Sequence, residues 1–211
     1  MNKTHDIRID RTKLHPWLNY KLTLLLKQCA KKGIYLIITQ GFRSKAQQDE
    51  LYAQGRTKKG NIVTNAKGSD YSSQHQWGIA FDIAINDSKL LYNEATIRKV
   101  AKIAKSKKVG LAWGGDWVSP VDTPHFYLAK WGDTPSTLKK KYGTFEKFKK
   151  TWTKEVFGTK KGLNIWNKTR TKVLKKKLPN KTKVNVMYMS KGYAKVEYKG
   201  VVGYMKAKYL L

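Results

Sequence analysis

Two of the four histidines in this 211-residue chain stand near carboxylates in apolar surroundings. In "SSQHQWGIAFD", residues 72–82, His75 precedes Asp82 by seven positions, and Asp82 lies inside the apolar run "IAFDIAI". A carboxylate in such a run is costly to bury unless something pairs with it. In "VDTPHFYL", residues 121–128, Asp122 stands three positions before His125. Pro124 holds this stretch extended, so that the carboxylate and the imidazole stay near one another at a strand end. His75, Asp82 and His125 are together the donor composition of a catalytic zinc site: three protein ligands and an open position for water. Such a metal lowers the pKa of its water toward neutrality, and Asp122 is the carboxylate left beside the set to take the proton. Asp82 alone is equally compatible with a buried, hydrogen-bonded acid, and His5 and His15 read as polar surface. With a single cysteine, Cys29, neither an internal disulfide nor a cysteine-rich zinc cage can form; Cys29 reads as a small core residue on a helix.

The elements that must position these residues follow from periodicity and punctuation. "HPWLNYKLTLLLKQCAKKG" predicts a helix with Pro16 in its first turn, Leu18, Leu22, Leu25 and Cys29 on one face, and Gly33 past its end. "IYLIIT" reads as a buried strand. "SKAQQDELYAQG" reads as a helix opened by a Ser44–Gln47 capping box and stopped at Gly55. Residues 56–74 form a long polar loop, a length more often functional than idle. "IAFDIAI" is a strand with Ile79, Phe81, Ile83 and Ile85 on one face and Ala80, Asp82 and Ala84 on the other. A second long helix carries Ile97, Val100, Ala101 and Ala104; "LAWGGDW" and "TPHFYLA" are strand-like, and residues 135–156 are helical and lysine-rich. After "GTKKG", short alternating runs predict a small all-β module. The expected class is α+β: residues 1–158 form a catalytic domain with a small antiparallel sheet flanked by helices, 159–162 a linker, and 163–211 the β module.

"S-x-H-x-x-G-x-A-x-D" (Ser73, His75, Gly78, Ala80, Asp82) followed by "D-x-P-H-F" (Asp122, Pro124, His125, Phe126) resembles the paired signature of the VanY-like zinc peptidases. These are the D-Ala-D-Ala carboxypeptidases and L-alanyl-D-glutamate endopeptidases of peptidoglycan. "GFRS…Q…LYAQGRT" at 41–57, "VTNA" at 63–66 and "WGGDW" at 113–117 resemble the endopeptidase branch, which includes phage endolysins, and the similarity runs from about residue 14 to 130. The resemblance implies Zn²⁺ as cofactor, His75, Asp82 and His125 as its ligands, and Asp122 as general base. It also implies Arg43 as the cation that steadies the scissile carbonyl or its oxyanion, a task suited to a fixed guanidinium. Gln47 and Ser73 match family positions near the substrate, although Gln47 also reads as a helix cap and Ser73 as a turn residue. The longer lead "KGSDYSSQH" departs from the family's usual Gly-Gly-Ser. The tail resembles a bacterial SH3-like barrel, with Trp166 and Asn167 replacing the usual Arg-Ser, and implies a cell-wall-binding role.

Composition fits this reading. The formal net charge is +30, and residues 160–211 hold fifteen Lys or Arg against one acid, Glu197. Such a charge implies a polyanionic partner, here peptidoglycan with anionic wall polymers. It also permits a non-catalytic polyanion- or nucleic-acid-binding protein, against which stands the absence of an identifiable nucleic-acid module. No stretch approaches the ~20 apolar residues of a membrane span, and "MNKTHDIRIDRTKLHPWLNY" lacks the pattern of a secretory signal. The expectation is therefore an endolysin-like peptidoglycan hydrolase, held in a host cytoplasm until holin-mediated release if phage-encoded. It would cleave at L-Ala-D-Glu, with D-Ala-D-Ala carboxypeptidase as the alternative.

Overall fold

A computed structural model describes residues 3–211, which divide by their contacts into two units between Phe145 and Glu146. The first unit contains, in order, β1 (Asp6–Ile7), α1 (Pro16–Ala30), β2 (Leu36–Gln40), α2 (Lys45–Ala53), β3 (Ala80–Ile85), α3 (Glu94–Lys105), β4 (Ala112–Trp113), β5 (His125–Tyr127) and α4 (Ser136–Tyr142). Its sheet runs β1-β2-β3-β5-β4. The expected antiparallel pairing holds from β2 through β4, but the two residues of β1 add a parallel edge, so the sheet is mixed.

α1 and α3 pack against each other. Leu18, Leu22, Leu25 and Cys29 are fully buried on one helix, and Ile97, Val100, Ala101 and Ala104 are buried on the other. Each large side chain removed from water here stabilises the fold by roughly 1.5–3 kcal/mol. β3 is covered on both faces, since Ala80 and Ala84 are buried as well as Phe81, Ile83 and Ile85; Asp82 is its one partly exposed residue.

The remaining histidines are not polar surface. His15 is buried and caps α1, its ring Nδ1 accepting from the Trp17 N–H at 3.2 Å. His5 is half-buried and bridges Leu26 O and Leu36 N, both at 2.9 Å, so it joins α1 to β2. The His5 partners lie across the fold and leave no sequence pattern; the His15 cap is local, two residues long, and only the burial of its ring against Trp131 is tertiary.

The helix expected over 135–156 is interrupted. Gly143 ends α4 with φ +73°, α5 follows at Phe145–Lys150, and β6 (Thr153–Glu155) pairs antiparallel with a strand far along the chain.

The second unit contains β6, β7 (Leu163–Trp166), β8 (Val173–Leu178), β9 (Lys183–Ser190), β10 (Tyr193–Tyr198) and β11 (Val201–Lys206) in the order β6-β9-β10-β11-β7-β8. Its core is built from Ile165, Val184, Ala194, Val196 and Met205. β6, which lies ahead of the linker expected at 159–162, belongs to this sheet. Among the described residues, β6 and β8 do not pair with each other, and β6 is bonded on its second side to the C-terminal residues, Glu155 and Leu211 exchanging both backbone hydrogen bonds, so the sheet does not close on itself as the expected barrel would. The edge strand β8 exposes Lys175, Lys176 and Lys177, with Lys177 at φ +52°. Charged side chains and local irregularity of this kind keep a strand from pairing on its second side. No helix among the described residues is long and apolar enough to cross a membrane.

Candidate metal centre

Antiparallel pairing of β3 with β5 places Asp82 directly opposite His125. Facing positions bring side chains on one face within contact, and the His125 Nδ1 to Asp82 Oδ1 distance is 3.0 Å. His75 arrives from the 3-10 turn Gln74–Trp77 that precedes β3. Gly78 closes this turn with φ +63°, a conformation that favours glycine, and its N–H bonds back to Gln74 O and His75 O. The reversal points the His75 ring at the two strand residues: its Nε2 lies 3.2 Å from His125 Nδ1 and 3.3 Å from Asp82 Oδ1.

This triangle tests whether the residues fit a metal. Bonds of about 2.0–2.1 Å in tetrahedral geometry put ligand atoms about 3.3–3.4 Å apart. The three observed edges, 3.0, 3.2 and 3.3 Å, are close to that spacing. The protons are disposed to match. His75 Nδ1 lies 2.7 Å from Gly41 O, and His125 Nε2 lies 2.6 Å from the side-chain Oε1 of Gln74. A carbonyl oxygen only accepts, so each neutral ring carries its proton on that outer nitrogen and turns a lone pair inward. Among the described residues, this is the one group of three or more His, Cys, Asp or Glu side chains able to hold a metal. Burial disfavours the Asp82 charge; imidazolium forms of His75 and His125 would outweigh it by charge and N–H bonds and hold the carboxyl far below the usual range, whereas neutral rings with lone pairs inward leave that compensation to a cation.

Two further charged side chains, Asp122 and Arg43, lie within electrostatic reach of the triangle. Asp122 is half-buried, and its carboxyl is raised by burial and then by Asp82, with His125, His75 and Arg43 opposing. Gly114 makes room for it: a Cβ there would come within 2.6 Å of Asp122 O and 3.0 Å of His125 Cβ. Arg43 follows β2, its N–H bonded to His75 O at 3.1 Å. Burial lowers its guanidinium pKa, and the charges of Asp82 and Asp122 oppose that loss. Nη1 donates to Gln48 at 2.9 Å, whereas the buried Nε has no acceptor among the described residues.

His75, Asp82, His125, Asp122 and Arg43 are thus brought within electrostatic reach of one another. Ser73 is half-buried at the start of the turn and makes no capping bond through its side chain. Gln47 is exposed and occupied in the capping box with Ser44, so it lies outside this group.

Three participants escape sequence reasoning. Gln48 is wholly buried and holds Arg43 while donating to Thr64 Oγ1 and Ala66 O, which also pins the 56–74 loop. Gln74 orients His125. Trp117, whose ring centroid is 5.0 Å from that of His125, walls the site. Nothing but its place beside His75 marks Gln74 in the sequence, and Trp117, which could wall a cleft, stands at a spacing where aromatics are more often core.

Residues 67–128 match a family described as D-alanyl-D-alanine carboxypeptidase. The peptidoglycan L-alanyl-D-glutamate endopeptidase CwlK of Bacillus subtilis is 42% identical over 126 residues, covering 54% of this chain and 73% of its own length. Solved structures that resemble the chain include the Serratia marcescens L-Ala D-Glu endopeptidase ChiX, with TM-score 0.40, 20% identity, and 56% of this chain and 83% of that one covered. A mutant of the vancomycin-resistance D,D-pentapeptidase VanY in complex with Zn(II) aligns with TM-score 0.40 and 17% identity over 64% of this chain and 83% of that one.

Proposed function

The chain belongs to the VanY-like zinc peptidases of peptidoglycan, and from that premise we propose that it cuts the L-alanyl-D-glutamate bond of stem peptides. The observation that carries the chemistry is the triangle of His75 Nε2, His125 Nδ1 and Asp82 Oδ1, each edge between 3.0 and 3.3 Å, with the outer nitrogen of both rings already bonded. A zinc ion held there supplies Lewis acidity and a water of near-neutral pKa. Asp122, with its carboxyl raised by burial and by Asp82, takes the proton as water attacks and delivers it to the departing amine. Arg43 stabilises the negative charge that develops on the scissile carbonyl oxygen, its guanidinium held by Gln48 within electrostatic reach of Asp82 and Asp122. Ser73, half-buried beside His75, serves as a substrate contact, whereas Gln47 is exposed and engaged in its capping box.

The choice of scissile bond follows the 42% identity to an endopeptidase. A second reading, removal of terminal D-Ala, is favoured by the description of the family matched over residues 67–128. Mass spectrometry of digests of purified walls separates them. New N-terminal D-Glu or D-isoglutamine is the expected product, and release of free D-Ala alone overturns the assignment.

The second unit is proposed to be an SH3-like module that holds anionic wall polymers. Support comes from its charge and from one row across its sheet. Tyr188 on β9, Lys195 on β10, Tyr204 on β11 and Trp166 on β7 are register neighbours, partly exposed, on the face opposite buried Ile165, Ala194 and Met205. Glu197, the acid of this stretch, is already engaged by Asn185 Nδ2 and Gly200 N.

A further inference from the structure

We propose that Gln74 is a positioning residue that fixes which nitrogen of His125 faces the metal, and that it does so under control of the turn at Gly132 and Asp133. The proposal rests on the reading of His75, Asp82 and His125 as a metal centre, and assigns a role to a side chain outside the ligand set. Gln74 is 3% exposed, so both ends of its amide need partners. Its Nε2 donates to Gly132 O at 2.9 Å, and its Oε1 lies 2.6 Å from His125 Nε2. The Gly132 carbonyl only accepts, so it requires the NH₂ end of the amide and turns the oxygen toward His125. That oxygen in turn requires a proton on Nε2. Had the proton been on Nδ1, two acceptors would face each other at 2.6 Å and an N–H would point into the metal position. One backbone carbonyl thus selects the tautomer two hydrogen bonds away.

The same turn grips the ring from its face. Gly132 follows the 3-10 turn Ala129–Trp131 at φ +78°, with its N–H on Ala129 O. Next to it, Asp133 accepts a short hydrogen bond from the Tyr127 hydroxyl, which accepts from Trp117 Nε1 at 3.0 Å. Trp117 then lies against His125 with ring centroids 5.0 Å apart. Edge and face of His125 are therefore both referred to the pair Gly132–Asp133. His75 differs, because its outer nitrogen bonds a backbone carbonyl, Gly41 O, directly. Gln74 is the side chain through which this control can be altered without touching a ligand.

The test compares zinc affinity of full-length wild type, Gln74→Met and Gln74→Glu by competition with a chromophoric chelator. The absorption spectrum of the cobalt-substituted forms and the thermal midpoint of the metal-free forms accompany it. Gln74→Met keeps the volume and loses the acceptor; affinity is expected to fall about 10–100-fold, as for other outer partners of metal-bound histidines. The cobalt spectrum should shift while the metal-free midpoint stays near wild type. Gln74→Glu restores the acceptor for Nε2 but sets its second oxygen against Gly132 O, so it should recover affinity only in part, and full recovery would overturn the control assigned to Gly132. Equal affinity in wild type and Gln74→Met overturns the proposal. If wild type itself takes up no stoichiometric zinc, the metal-centre reading fails instead.

Discussion

Three acceptor atoms between 3.0 and 3.3 Å apart, with the ring protons on the far side, repel one another until a cation stands between them. This is why removing one ligand costs more than one bond. His125→Ala is expected to abolish stoichiometric zinc, by elemental analysis, together with wall lysis, and chelation of the wild type should do the same reversibly. Persistent lysis in excess chelator counts against the centre. Asp122 differs because it is outside the triangle. Asp122→Asn should keep the zinc and lower turnover on soluble stem peptides by about 10²–10⁴, the usual worth of a general base. Turnover within a fewfold of wild type moves the proton to another group.

The elements hold these residues by local devices, and one of them depends on pH. His15 caps α1 only as a neutral ring, because its Nδ1 accepts the Trp17 N–H. Burial, reinforced by the charge of Lys130, lowers its pKa to about 3 from the ordinary 6.5. A histidine with a depressed folded pKa stabilises the fold fully above pH 6.5, and that contribution is lost as pH falls toward 3. Between pH 7 and 5 the loss amounts to about 2 kcal/mol at 1.36 kcal/mol per pKa unit. His15→Asn retains a capping oxygen and removes the titration. In urea unfolding of the metal-free protein, it should therefore show a shallower loss of stability over this interval. Identical pH slopes in the two proteins would rule out His15 as the source.

At the scale of the whole molecule, the ligands and Asp122 all lie in the first unit, while residues 160–211 concentrate fifteen basic residues against one acid. Attraction of such a surface to a polyanion fades beyond a Debye length, ~8 Å at physiological ionic strength. Full-length Asp122→Asn, slow to degrade its own target, should sediment with purified walls at low salt and be released as salt rises. Lys195→Glu, placed between Tyr188 and Tyr204, should weaken that binding while leaving hydrolysis of soluble stem peptides unchanged. Binding indifferent to both salt and Lys195 would remove the wall-polymer role from this face.

Local sequence determined the parts whose physics is local. α1, α2 and α3 follow from apolar spacing and caps, down to the Ser44–Gln47 capping box, because those bonds span three or four residues. The metal set was legible because a carboxylate inside "IAFDIAI" and a histidine after "DTP" need a partner wherever they fold. Tertiary structure alone decided what crosses the chain. It decided that Asp82 and His125 are register partners, 43 residues apart, and that Gln48, which holds Arg43, also bonds Thr64 and Ala66 of the long loop. It also buried the His15 ring against Trp131 and took Thr153–Glu155 out of a lysine-rich helical pattern into a strand paired with β9. Each of these outcomes hangs on an acceptor, a ring or a strand edge supplied by residues distant in sequence, and helical or strand periodicity carries no record of which distant group will arrive.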